Sequence, residues 1–209
     1  MSEKEEIKKT PTTHVKPSFL FGVRAGVHGG VYFSGDQTLL YPAGSGVARV
    51  QVVSTKQDVV ALTSKGTHIT ALVLNANRSL IAFTEYGDRP LLIVYDLEKM
   101  KRVKILRCAE FKSKDVVSLA FLHDSIYLLA QGGSPDYQLV YFFWENGKVI
   151  TTSRTVNQSL GGSVSSVSFH PKDRDIVCIV GKGIFRMCKL IEGSLKPFGF
   201  TKGDGLNCF

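Results

Sequence analysis

No uninterrupted apolar stretch in this 209-residue chain approaches the roughly 20 residues that a membrane-spanning helix needs, so no membrane insertion is expected. Cysteine is sparse as well. Cys108, Cys178, Cys188 and Cys208 form neither a C-x-x-C pair nor a dense framework. That spacing excludes a disulfide-stapled scaffold and points to reduced thiols in an intracellular compartment. The opening MSEKEEIKKTPTTHVKP is charged near its start and lacks the apolar segment of a secretory signal.

Catalytic signatures are also missing. The chain holds no G-x-S-x-G, H-E-x-x-H or G-x-x-x-x-G-K-[ST]. The glycines of GVHGG, GSG and QGG lie beside strand-like runs with no helix after them, so they suit tight turns better than a phosphate cradle. His14, His28, His68, His123 and His170 are dispersed and show no ligand-like pairing. A non-enzymatic protein without metal or cofactor is expected.

What remains is strand and turn chemistry. Residues 1–18 are polar, lack hydrophobic periodicity and read as a flexible N-terminal tail. From Phe19 onward Val, Ile, Phe, Tyr and Thr fill short runs punctuated by Gly, Asn, Asp and Ser, and no 3.6-residue apolar period persists. The runs recur. HITALVLNANRSLIAFTE, DVVSLAFLHDSIYLLAQ and SVSSVSFHPKDRDIVCIV each join an alternating strand to a nearly continuous apolar one across a polar turn. The large apolar residues that close the first strands are Leu74, Phe121 and Phe169, spaced by 47 and 48 residues. GGVYFSGDQTLLYPAG is an earlier, weaker copy, with Phe33 41 residues before Leu74.

Each copy continues into a loop and two further strands. Four strands per copy fit propeller blades of the WD type, whose repeats run to about 40–45 residues. The expected fold is therefore all-β: a partial WD40-type β-propeller over 19–209, with blades at about 29–64, 65–107, 114–156 and 162–200. The position ordinarily held by Trp-Asp reads Tyr95-Asp96, Trp144-Glu145 and Cys188-Lys189. Pro171, with fixed φ and no N–H, suits the first corner of a turn, and His170 beside it reads as a turn residue with a local hydrogen bond. Propellers close with four to eight blades and the WD class typically with seven or more, so four divergent WD-type blades predict an arc with an open blade face.

The net charge of +8 fits either solubility or an acidic partner. Its densest run is Lys99, Lys101, Arg102, Lys104 and Arg107, continuing to Lys112 and Lys114. Lysines on an outer strand block sheet-to-sheet pairing, and the same residues can form a patch for an acidic surface. Aromatic residues are not interleaved there, which argues against nucleic acid. Tyr141, Phe142, Phe143 and Trp144 stand consecutively and fit a blade packed on both faces.

FLFGVRAGVHGGVYFSGDQTLLYPAGSGVARV, ALVLNANRSLIAFTE, the VVSLAFLHDSIYLLAQGGSPDYQLVYFFWENGKVI run and VSFHPKDRDIVCIVGKGIFRMCKLIEGSLK resemble the N-terminal part of the cilia- and flagella-associated protein fifty-seven family of axonemal WD-repeat proteins. The resemblance implies a structural subunit of the motile cilium, associated with the inner dynein arms and the regulatory complex on doublet microtubules, with tubulin as a possible contact. It implies a cytoplasmic, cytoskeletal location in the axoneme. Family members carry two propellers and a long coiled coil, whereas this chain has no heptad segment and is expected to stop within the first propeller. A second reading, from the residues alone, is a general cytoplasmic adaptor that binds peptides.

Overall fold

The computed structural model describes residues 18–62, 67–107, 109–156 and 162–198. The tail expected at 1–17 and the closing segment 199–209 lie outside the described residues. The described chain forms four antiparallel sheets of four consecutive strands each. Sheet 1 holds β1 (Tyr32–Gly35), β2 (Thr38–Ala43), β3 (Gly46–Gln51) and β4 (Gln57–Leu62). Sheet 2 holds β5 (Ile69–Leu74), β6 (Leu80–Glu85), β7 (Leu91–Asp96) and β8 (Lys101–Arg107). Sheet 3 holds β9 (Val116–Phe121), β10 (Tyr127–Gly132), β11 (Gln138–Phe143) and β12 (Lys148–Arg154). Sheet 4 holds β13 (Ser163–Phe169), β14 (Ile176–Lys182), β15 (Ile184–Ile191) and β16 (Ser194–Pro197).

The turns explain why the strands stop where they do. Leu74, Phe121 and Phe169 each end the first strand of a sheet, and the next residue begins a reversal. Asn75, Leu122 and His170 donate their N–H groups to the carbonyls of Leu80, Tyr127 and Ile176 at 3.0, 3.0 and 2.9 Å. Asn75 adds its side-chain oxygen, which accepts the Leu80 N–H at 2.8 Å. Arg78 and Ser125 take the left-handed conformation at matching places in two of these turns, with φ of 61° and 63°. In the third, the Nδ1 of His170 accepts the N–H groups of Lys172 and Asp173 at 3.2 and 3.0 Å. His170 is thereby committed to shaping its turn.

Repetition extends to an irregularity that the hydrophobic pattern hides. Thr70 is skipped in the β5–β6 ladder, Val117 in β9–β10 and Ser165 in β13–β14. Each is a one-residue bulge in a first strand, at the same 47- and 48-residue spacing as the turn residues. Such a bulge raises local twist and lets the first strand change which side chains it presents to each neighbour. In sheet 4 the partner strand passes so close that a methyl group on Gly181 would lie 2.0 Å from the Ser163 carbonyl oxygen. Only glycine fits there.

Packing then follows from two-sided burial. Leu40 and Val47 of sheet 1 meet Leu72, Ile81, Phe83 and Ile93 of sheet 2. The other face of sheet 2, with Ala82, Leu92 and Val94, meets Leu128, Ala130, Val140 and Phe142 of sheet 3. Leu129, Leu139 and Tyr141 on the far face of sheet 3 meet Val167, Val177 and Ile179 of sheet 4. Sheets 2 and 3 are therefore covered on both sides, which is why their middle strands, LIAFTE and LLIVYD or YLLAQG and QLVYFF, are almost continuously apolar. Burying each large side chain contributes about 1.5–3 kcal/mol.

First strands lie at the hub and are stitched together by hydroxyl groups. Tyr32 Oη donates to the Leu72 carbonyl at 3.1 Å, joining sheets 1 and 2. Thr70 Oγ1 accepts the Val116 N–H at 3.4 Å, and Ser118 Oγ accepts the Val167 N–H at 3.1 Å. Face-to-face succession with the first strands innermost is the arrangement of β-propeller blades.

Sheet 1 departs from the other three. Phe33 is the second residue of the four-residue β1, is 54% exposed, and closes no strand as Leu74 does. The chain before it forms a strap. The Gln57 side chain clamps the Leu20 backbone through its N–H and carbonyl, and the Arg24 N–H donates to the Pro42 carbonyl. His28 then makes a parallel bridge to Ala71 at the start of sheet 2.

Replacing Ser118 by Ala leaves the Val167 N–H buried without an acceptor, and is expected to lower stability by about 1–3 kcal/mol in chemical denaturation. Phe83→Ala, which opens a cavity between sheets 1 and 2, is expected to cost about 3–5 kcal/mol. A denaturation midpoint unchanged for either variant contradicts the packing described.

Candidate functional site: the basic outer edge of sheet 2

The densest positive charge of the sequence falls on β8, the rim strand of sheet 2. A rim strand keeps one row of backbone groups unpaired, and charged side chains along it deter pairing with another sheet. Lys101, Arg102 and Arg107 are exposed, and Lys104 is half-buried. Between them Val103 and Ile105 are 45% and 39% exposed, so the strand presents aliphatic as well as cationic surface. None of these four cations has a carboxylate within ion-pairing distance among the described residues.

Ladder register divides the patch. Val94 stands opposite Lys104 and Tyr95 opposite Arg102, so Val103 is an extra residue that shifts the alternation. Cross-strand partners share a face. Lys101 and Lys104 thus lie on the side toward sheet 3, and Arg102 and Arg107 on the side toward sheet 1. The stem of Lys104 reaches the β11–β12 turn, where a methyl group on Gly147 would sit 3.6 Å from its Cε. The cations form two pairs either side of a thin edge.

Lys99 stands apart from both pairs. It occupies the β7–β8 turn and its ammonium lies 3.5 Å from the Asp96 carboxylate. Asp96 Oδ1 also accepts the N–H groups of Lys99 and Glu98 at 2.8 and 3.0 Å. The Lys99 backbone N–H is the chief group holding this carboxyl below its usual range, burial opposes it, and Glu98 N–H and the Lys99 ammonium reinforce it. Farther along the run, Lys112 is exposed and Lys114 pairs with Asp88 at 2.8 Å.

The Trp-Asp positions need one adjustment. Asp96 is the ladder partner of Leu80, and the residue placed likewise in sheet 3, opposite Tyr127, is Phe143. Opposite Ile176 in sheet 4 stands Lys189. Tyr95-Asp96 and Cys188-Lys189 are thus equivalent, while Trp144-Glu145 lies two residues beyond its expected register, with Phe142-Phe143 in that place. Tyr95, Phe142 and Cys188 are all buried between sheets. Trp144 follows β11, is buried, donates Nε1–H to the Ser125 carbonyl at 2.6 Å and meets Phe121 edge-on. Glu145 is exposed in the following turn.

One cavity of about 320 Å³ opens at the hub, where Leu74, Phe121 and Phe169 converge with His123, His170 and Pro171. Its lining is largely apolar, and His170 already spends its Nδ1 lone pair on the turn. No group of three or more His, Cys, Asp or Glu side chains among the described residues is placed to hold a metal ion, and none of their helices is long and apolar enough to cross a membrane. The hydroxyl bridges from Thr70 and Ser118 went unnoticed in the sequence. Their only signal was a Thr or Ser inside an otherwise apolar strand.

Acidification through the lowered pKa of Asp96 is expected to break its contact with Lys99 and loosen the β7–β8 turn. That contribution is present above the usual carboxylate range and disappears below the folded value. A carboxyl titration followed by NMR in which Asp96 behaves as a free aspartate contradicts the geometry.

No family model matches the chain. It is similar to curated proteins named for cilia and flagella. Cilia- and flagella-associated protein 57 of Mus musculus is 31% identical over 191 residues, covering 90% of this chain and 15% of the relative. Cilia- and flagella-associated protein 57 C of Tetrahymena thermophila is 24% identical over 87% of this chain and 14% of its own length. Cilia- and flagella-associated protein 44 of Mus musculus is 25% identical over 79% of the chain and 9% of the relative. The chain spans less than a sixth of the length of each. With its blade-like sheets and a similarity running through nine-tenths of its residues, the chain belongs to the cilia- and flagella-associated protein 57 family, a family of cilium- and flagellum-associated proteins.

Proposed function

We propose that the chain is a non-catalytic WD-repeat scaffold of the motile-cilium axoneme, which docks components of the inner dynein arm and regulatory complex on doublet microtubules through its blade surfaces. The observation that carries this reading is the rim of sheet 2. Lys101, Arg102, Lys104 and Arg107 stand along one strand with Val103 and Ile105 between them, and no ion pair among the described residues neutralises them. Fixed cations on a rigid sheet edge attract acidic protein surfaces, of which the tubulin surface is one. The division into two pairs suits a partner that straddles the edge. Membership in a ciliary family supplies the cellular setting.

Reversing Lys101, Arg102 and Lys104 to Glu is expected to weaken low-salt co-sedimentation with microtubules by about tenfold, given two exposed charges and one half-buried charge, each worth up to about 1 kcal/mol. Raising the salt is expected to weaken the unaltered chain in the same direction. Equal sedimentation of the two proteins removes the patch from the mechanism. A tagged chain in multiciliated cells is expected along the axoneme. Signal spread evenly through the cytosol contradicts the axonemal reading and favours a cytoplasmic peptide-binding adaptor.

A further inference from the structure

We propose that the basic rim strand β8 takes up an acidic peptide in extended form, as a fifth strand of sheet 2. This rests on the reading of that rim as a docking surface, and it names the partner's class and the mode of capture. The first ground is the backbone. Leu97 donates its N–H to the Ser79 carbonyl at 2.9 Å, one step beyond the Leu80–Asp96 pair. Backbone groups along an antiparallel strand point to alternate neighbours. Leu91, Ile93 and Tyr95 therefore bond to β6, whereas Leu92, Val94 and Asp96 bond to β8. Opposite Ile93 and Leu91 stand Ile105 and Arg107. Their N–H and C=O groups thus turn away from β7, toward the free edge of the sheet. Among the described residues, no backbone hydrogen bond from outside the ladder reaches either of them. An extended peptide laid along this edge completes the row, and its main-chain hydrogen bonds hold it there.

The second ground is the layout of the charge. Lys101 and Lys104 lie toward sheet 3, and Arg102 and Arg107 toward sheet 1, with no ion pair to any of them among the described residues. A helix or a flat acidic surface meets one side of a thin edge. An extended strand sends successive side chains to opposite sides, so neighbouring Glu or Asp residues reach both pairs at once. Cross-strand partners on one face stand about 4.5–5.5 Å apart, close enough for ion pairing. Val103 and Ile105, both exposed, add apolar contact between the cations. The same cations repel a second basic edge, so the rim rejects copies of itself and selects acidic chains. The other rim strands differ. β16 has four residues and ends in Pro197, and β12 carries its cations at Lys148 and Arg154, its two ends. β4 holds Asp58, which pairs with Arg49.

Fluorescence anisotropy of a labelled oligoglutamate peptide, titrated with the purified chain at low salt, tests this. Binding is expected, and with it slower amide exchange at Ile105 and Arg107 by NMR, while Leu106, which faces β7, is unchanged. Ile105→Pro removes one outward N–H, keeps every cation and breaks no ladder bond, a placement that edge strands accept. It is expected to keep the circular dichroism spectrum and to weaken the peptide about tenfold. Reversing Lys101, Arg102 and Lys104 to Glu is expected to abolish binding. Exchange at Ile105 and Arg107 that the bound peptide leaves untouched overturns strand addition and keeps the rim as a charged surface. A folded Ile105→Pro protein that binds as tightly as the unaltered chain does the same, as does a chain that ignores the peptide yet sediments with microtubules through these charges. Peptide binding that survives all three reversals overturns strand addition and the rim reading together.

Discussion

The architecture depends on one constraint: a sheet apolar on both faces must have a cover on each. Sheets 2 and 3 bury Leu92 and Ile93, or Leu139 and Val140, on opposite sides of one strand, so neither has a solvent face. A single blade of this composition is insoluble by construction, and only stacking resolves it. The order of sheets along the chain follows, since each copy finds its cover in the copy next in sequence. Polar chemistry is pushed to what stacking leaves free, namely the turns and the rim strands.

Stacking apolar faces alone would leave neighbouring sheets free to slide. The hub prevents this with directional bonds. Thr84, Ser118 and Gln131 are fully buried yet polar, and Thr84 and Ser118 form hydrogen bonds that lock a first strand to its partner or its neighbour. Asn75 Nδ2 reaches across to Ser125 Oγ at 3.0 Å, joining equivalent turns of sheets 2 and 3. Buried polar contacts of this kind specify one register among many that hydrophobicity would tolerate. They also hold the rim of sheet 2 at a fixed orientation, which gives the cations on β8 a defined geometry to present.

Much of this was legible in the sequence, because the strand period and the interval between copies are both regular. Leu74, Phe121 and Phe169 fall at equivalent strand ends, and the two-faced burial of sheets 2 and 3 was visible as nearly unbroken apolar runs. What escaped was anything that adds or subtracts one residue. The bulge at Val103 reverses the facing of every side chain beyond it, and so splits a patch that looks continuous when written out. Trp144 drew attention by its identity, but the ladder places Phe142 where Tyr95 stands. Alternation by twos reports which strand a residue belongs to, and pairing decides which side it takes.

The strap before sheet 1 has a mechanical consequence. Hydrogen bonds loaded one after another, as when a strand is peeled from an edge, break at low force, whereas bonds loaded together in shear resist it. Tension arriving at residue 18 meets Gln57 on the outer strand first, then Pro42, and then the parallel bridge of His28 to Ala71 in the following sheet. Taken one after another, these contacts would open in turn, and Tyr32 is loaded only when all of them have parted. The strap would thus give way contact by contact before the first blade itself is pulled.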